Sequence, residues 1–107
     1  MAKLGETIDA LARTIEARRG ADPETSWSAR LIADPTLAAK KLAEEAMETA
    51  LAAVQGDRAA VAAESADLVY HWLALLAAVD VSLDDVADVL RARGGRSGIE
   101  EKSSRRP

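Results

Sequence analysis

Two groups of acids stand at equal distances on either side of one glycine. Before Gly56 comes Glu44-Glu45-Ala46-Met47-Glu48, and after it comes Glu64-Ser65-Ala66-Asp67. Glu48 and Glu64 each lie eight residues from Gly56, and Glu45 and Asp67 each lie eleven away. If both stretches are helices that fold back at Gly56, the members of each pair stand at one height, roughly 12 and 16 Å from the turn at 1.5 Å per residue. Each residue advances about 100° around a helix, so Glu44, Glu45 and Glu48 share one sector. Glu64 and Asp67, three apart, share a face of the second helix. Four or five carboxylates would then face one another across a helix hairpin. Like charges disfavour each other's ionised form, and a bound divalent cation is the natural compensation.

Composition supports helices on both sides of that turn. Alanine is abundant, aromatic residues make up 3% of the chain, and phenylalanine is absent. Alanine has the highest intrinsic helix propensity, and Leu, Glu and Arg follow closely. The 107 residues form one domain, large enough for a core. The expected class is therefore all-α, a helical bundle built on the antiparallel hairpin.

Helix boundaries follow from caps and breakers. A first helix is expected over about residues 4–19, with Leu4, Ile8, Leu11 and Ile15 along one face and Gly20 as its stop. Residues 20–35 read as a loop carrying one helical turn near Trp27 to Ile32. Asp34-Pro35 opens a second long helix, as an N-cap acid followed by proline, and it runs to about Gln55. Asp57 caps a third helix, about residues 58–79, and Ser82 starts a fourth that ends at Gly94-Gly95. The third helix is apolar nearly all round from Leu68 to Leu76, which implies burial on every side. One small chain has little with which to surround it, so a homodimer is expected, with this helix near the interface. Residues 96–107 form a basic, serine-containing tail.

Several function classes are excluded or disfavoured. There is no cysteine, which removes disulfides and thiolate metal sites and suits a reducing compartment. A net charge of -4 argues against general nucleic-acid binding. The N-terminus lacks the apolar core of a signal peptide, and the longest apolar-dominated run, Leu68 to Val79, is twelve residues, too short for a bilayer. A cytoplasmic protein with no membrane partner is expected.

Oxygen ligands from carboxylates suit hard cations, and Mg²⁺ is the default cofactor. A Glu-Glu-x-x-Glu run by itself is common on solvated helix faces, and Lys40 and Lys41 could pair with Glu44 and Glu45 there. The second cluster, set in a mostly apolar helix at the matching height, favours a site. Magnesium held this way invites a phosphate ester or anhydride as substrate. No Gly-rich phosphate loop of the G-x-x-x-x-G-K type is present, so lysine or arginine side chains would grip the phosphates alongside the metal.

The Glu-Glu-x-x-Glu, spacer, Glu-x-x-Asp pattern of residues 44–67 resembles the all-α, MazG-type nucleotide pyrophosphohydrolases. The resemblance implies Glu45, Glu48, Glu64 and Asp67 as Mg²⁺ ligands. It leaves Glu44 for a further ion or for orienting the attacking water. Flanking segments narrow the likeness: Ser26-Trp27-Ser28-Ala29-Arg30-Leu31, Lys40-Lys41-Leu42-Ala43, Asp67-Leu68-Val69-Tyr70-His71 and Arg96-Ser97-Gly98-Ile99-Glu100-Glu101-Lys102 look like the phosphoribosyl-ATP pyrophosphohydrolases. That family converts phosphoribosyl-ATP to phosphoribosyl-AMP and pyrophosphate in the second step of histidine biosynthesis, and a separate phosphoribosyl-AMP cyclohydrolase would act next. Position 43, often glycine in the family, is Ala43 here, which should only firm the helix.

The resemblance makes Lys41, Lys40, Trp27, Arg96 and Ser97 substrate-binding candidates. Each has a plainer reading: surface ion pairs for the lysines, a core plug for Trp27, a solvated terminus for Arg96 and Ser97. His71, the one histidine, reads as structural in so apolar a stretch. The alternatives left open are a pyrophosphohydrolase of free or damaged nucleoside triphosphates, which would not need the tail, and a non-catalytic helical interaction module.

Overall fold

The link between the two long helices is three residues, Gln55, Gly56 and Asp57, and it both ends one helix and starts the next. Gly56 adopts a left-handed φ of 74°. The Gly56 amide donates to the Ala53 carbonyl at 3.1 Å and the Asp57 amide to that of Ala52 at 3.1 Å, the paired bonds of a Schellman stop. Asp57 Oδ1 then accepts from the Ala60 amide at 3.0 Å and caps the following helix.

This computed structural model describes residues 3–94. They form α1 (Leu4–Glu16), α2 (Trp27–Ala33), α3 (Pro35–Val54), α4 (Arg58–Ala78) and α5 (Leu83–Arg93), with no strand among the described residues. The all-α expectation holds. The tail from residue 95 onward, with Arg96 and Ser97, lies outside the described residues.

Local chemistry sets the other boundaries as well. Ser26 accepts from the Ala29 amide, Asp34 from that of Leu37 with Pro35 at the first turn, and Ser82 and Asp85 form a reciprocal capping box. Two expectations are corrected. α1 stops at Glu16, not Arg19, because the chain tightens into turns at Arg18 and Arg19 before Gly20 turns left-handed at φ 81°. The single helical turn expected at Trp27 is a seven-residue helix, since the Ser26 cap starts it and three buried side chains, Ala29, Leu31 and Ile32, hold it.

α3 and α4 pack along their length as the antiparallel hairpin, α1 and α2 lie against α4, and α2 also reaches α3. Two small cores result. Ile15, Ile32 and Leu73 join α1, α2 and α4; Leu31, Ala38 and Ala74 join α2, α3 and α4. Buried alanines at 38, 52 and 74 keep the helices close. Arg19 ties the loop after α1 to the end of α4, donating to the Ala77 carbonyl at 2.7 Å.

The apolar middle of α4 is covered by its own chain. From Leu68 to Ala78 every residue is buried or half-buried. The large apolar side chains left in water lie elsewhere, among them Met47, Leu51 and Val54 on α3 and Val89 and Leu90 on α5. Exposed apolar surface therefore lies on α3 rather than on the stretch of α4 expected to meet a partner. No helix among the described residues is long and apolar enough to cross a membrane.

The turn can be tested directly. A Cβ at Gly56 would meet open space, so only the left-handed backbone opposes it. Gly56→Ala is expected to lower unfolding free energy by about 1 kcal/mol, read from urea denaturation, with helix content unchanged.

Candidate metal and nucleotide site

About three turns of α3 separate its start from Glu45, where its acids begin to meet α4. Glu45 points inward and is 8% exposed, whereas Glu48 is exposed and Glu44 half-buried. From α4 comes Glu64, half-buried. Glu45, Glu48 and Glu64 each present a carboxylate oxygen, and the three atoms lie within 4.8 Å of one another. Glu45 Oε2 and Glu64 Oε2 are buried with no hydrogen-bond partner. Buried polar atoms are nearly always paired, and an unpaired carboxylate is costly to bury. An all-oxygen donor set with two orphaned, inward oxygens fits a hard divalent cation.

Electrostatics agree with the geometry. The Glu64 carboxyl is pushed up to about 7, first by sharing a proton contact with Glu48, then by burial, then by Glu45. Without a cation the cluster tends to keep a proton. Glu44 behaves oppositely. Lys41 Nζ sits 3.0 Å from Glu44 Oε2. That hydrogen bond holds the Glu44 carboxyl below its ordinary value and the Lys41 ammonium above its own. The pair stays ionised beside the cluster. Lys40 is exposed and adds a weaker lowering influence on Glu44.

Asp67 is placed differently from its neighbour. Its side chain is exposed and is not among the three carboxylates that converge. Equal height along a hairpin does not fix azimuth. Three residues beyond Glu64, Asp67 is turned by about 60° around α4. Its backbone carbonyl does take part, lying 2.8 Å from His71 Nδ1.

The other nucleotide-site candidate, Trp27, opens α2 and is 39% exposed. Its Nε1–H donates to His71 Nε2 at 3.2 Å. An indole nitrogen only donates, so His71 Nε2 accepts, and the imidazole proton sits on Nδ1, directed at the Asp67 carbonyl. The Arg30 guanidinium lies 5.7 Å from the Trp27 ring centroid. Next to this contact, Ser28 Oγ and Tyr70 OH are 2.6 Å apart. Sequence reasoning missed both ties between α2 and α4. They join residues 44 and 42 positions apart, and no local pattern announces them. A groove of about 310 Å³ runs along α3 beside the acids, lined by Ala43, Glu44, Met47, Glu48 and Leu51.

Residues 8–94 match the family model described as phosphoribosyl-ATP pyrophosphohydrolase. The chain belongs to that family. It is 60% identical over 105 residues to a phosphoribosyl-ATP pyrophosphatase of Caulobacter sp. (strain K31), covering 98% of each chain. It is 58% identical over 97 residues to the protein of that name from Paracoccus denitrificans (strain Pd 1222), covering 90% of each. A third relative of the same name, from Ruegeria pomeroyi, is 55% identical over 96 residues, with 89% of this chain and 91% of the relative covered. In this member of the phosphoribosyl-ATP pyrophosphohydrolase family, the converging acids all fall inside the matched region.

The raised Glu64 carboxyl gives a pH test. Its folded value lies above its ordinary 4.5, so its stabilising contribution is full below that value and is lost as pH rises through about 7. Metal-free protein should therefore melt higher at about pH 5.5 than at about pH 8 through this group, and Glu64→Gln should flatten that slope. Added Mg²⁺ should raise the melting temperature most on the alkaline side, because the ligands must be deprotonated to bind it.

Proposed function

We propose that this chain hydrolyses phosphoribosyl-ATP to phosphoribosyl-AMP and pyrophosphate, the second step of histidine biosynthesis. The observation that carries the reading is the convergence of Glu45, Glu48 and Glu64, two of them with orphaned buried oxygens, in a chain of this family. Mg²⁺ is the proposed cofactor, held by these three and, as the sequence pattern suggests, by Asp67. When bound, such a cation neutralises phosphate oxygens and lowers the pKa of water for attack on phosphorus.

The chain's own residues supply the rest. Glu44, kept ionised by Lys41, is an acceptor for the proton of the attacking water. Lys41, already charged beside the cluster, can turn to a phosphate oxygen and so balance charge as the pyrophosphate leaves. Lys40 adds a second cation one residue away. Trp27 presents a half-exposed indole to the adenine base, and base stacking on an aromatic ring is worth about 1–3 kcal/mol. Arg96 and Ser97 are proposed to reach the phosphates from the C-terminal segment.

The active form is proposed to be a cytoplasmic homodimer. Met47, Leu51 and Val54 make an exposed apolar stripe on α3, at 66%, 52% and 86% exposure, which a second copy would cover. Leu51→Glu is expected to shift the sedimentation coefficient from dimer to monomer.

The activity test is pyrophosphate release from phosphoribosyl-ATP with Mg²⁺ and then with chelator, beside ordinary nucleoside triphosphates. Chelator-sensitive release from phosphoribosyl-ATP alone is the expected result. Release only from the other triphosphates would reassign the substrate and keep the site, and silence from folded protein would remove the enzymatic reading. Glu48→Gln should lower kcat by about 10²-fold or more with the fold retained, and Asp67→Asn should do the same.

A further inference from the structure

We propose that His71 is a positioning residue for the nucleotide site, fixing the Trp27 indole from behind through a neutral, Nδ1-protonated imidazole. The inference rests on the reading of Trp27 as the wall that meets the base.

Three observations support it. The imidazole is 8% exposed and uses both nitrogens: Nε2 accepts from Trp27 at 3.2 Å, and Nδ1 donates to the Asp67 carbonyl at 2.8 Å. Its orientation is thus set from α4 and passed to a side chain on α2. The ring is also clamped edge-on, at 74° to Trp27 with centroids 6.3 Å apart and at 88° to Tyr70 with centroids 5.0 Å apart. A histidine held on two rings and two hydrogen bonds has little freedom to swing.

Docking α2 does not require this bond. Leu31 is wholly buried, Ala29 is 3% and Ile32 8% exposed, and Ser28 already reaches Tyr70. The Trp27 bond instead restrains the side chain of a residue that is 39% exposed, the kind that would otherwise sample several rotamers. Holding an exposed aromatic in its binding pose removes an ordering cost from ligand association.

Two substitutions at position 71 separate positioning from packing. Asparagine can keep a donor where Nδ1 stood but cannot reach Trp27. Glutamine can place an acceptor where Nε2 stood. In the full chain with Mg²⁺, His71→Asn is expected to raise the KM for phosphoribosyl-ATP about tenfold with kcat within about twofold, the effect of one lost hydrogen bond. It should also shift the Trp27 indole ¹H–¹⁵N resonance. His71→Gln should return both toward wild type. Trp27→Phe, which deletes the same bond from its exposed end, should raise KM similarly, and adding His71→Asn to it should cost little more. It also carries the test if His71→Asn fails to fold.

A wild-type KM in His71→Asn, or a loss of thermal stability and kcat that glutamine does not rescue, would overturn the positioning role. If Trp27→Ala also leaves KM unchanged, the reading of Trp27 as substrate-facing has failed. If Trp27→Ala raises KM and His71→Asn does not, only the role of His71 has failed.

Discussion

Mutual repulsion among three carboxylates is the constraint around which the rest of this small fold is organised. Glu45, Glu48 and Glu64 are held with oxygens inside 4.8 Å, two of those residues carrying a buried, unpaired oxygen. Nothing in that cluster favours itself. It persists because α3 and α4 are pinned elsewhere, by the Schellman stop at Gly56, by the Asp57 cap and by alanines that let the helices approach. The cost of gathering charge shows in the raised Glu64 carboxyl, and it is what a bound cation would relieve. Among the described residues, Lys41 brings a positive charge beside the cluster, and it pairs with Glu44 rather than with the converging three.

Much of this was legible in the sequence. Asp34, Asp57 and Ser82 mark helix starts through side-chain oxygens that accept from amides three residues on, and Gly56 ends α3 through backbone bonds, all of it local chemistry. The hairpin followed from Gly56 and the flanking alanine-rich stretches. The heights of Glu48 and Glu64 followed from counting. What counting did not supply was azimuth, and Asp67 shows the difference: it stands at the level matched to Glu45, yet its carboxylate is exposed. The end of α1 was misplaced because Arg18 and Arg19 have good helix propensity, and tertiary ties outweigh it. Arg19 is engaged by Glu16 and by the Ala77 carbonyl across the fold.

The long-range polar contacts were not legible at all. Trp27 with His71, and Ser28 with Tyr70, connect a short helix to the middle of α4. A histidine in an apolar run looks like a filler until its partners are known. Here the donor-only indole fixes its tautomer, and the hydrogen bond links α2 to the helix that carries Glu64 and Asp67. The acid cluster and the Trp27–His71 contact therefore share α4 as a common scaffold.

The three-residue link at Gly56 also makes this protein a kind of gauge block. One residue added to either helix between the link and an acid would swing that acid about 100° around its axis and lift it 1.5 Å. No rotamer change at a glutamate recovers a displacement of that kind. Side chains along residues 49–63 can vary within helix and packing rules, but the number of helical residues between each acid and the link cannot drift by one without dispersing the acids. The helical spacing of this segment is thus a geometric requirement separate from the identity of the residues that fill it.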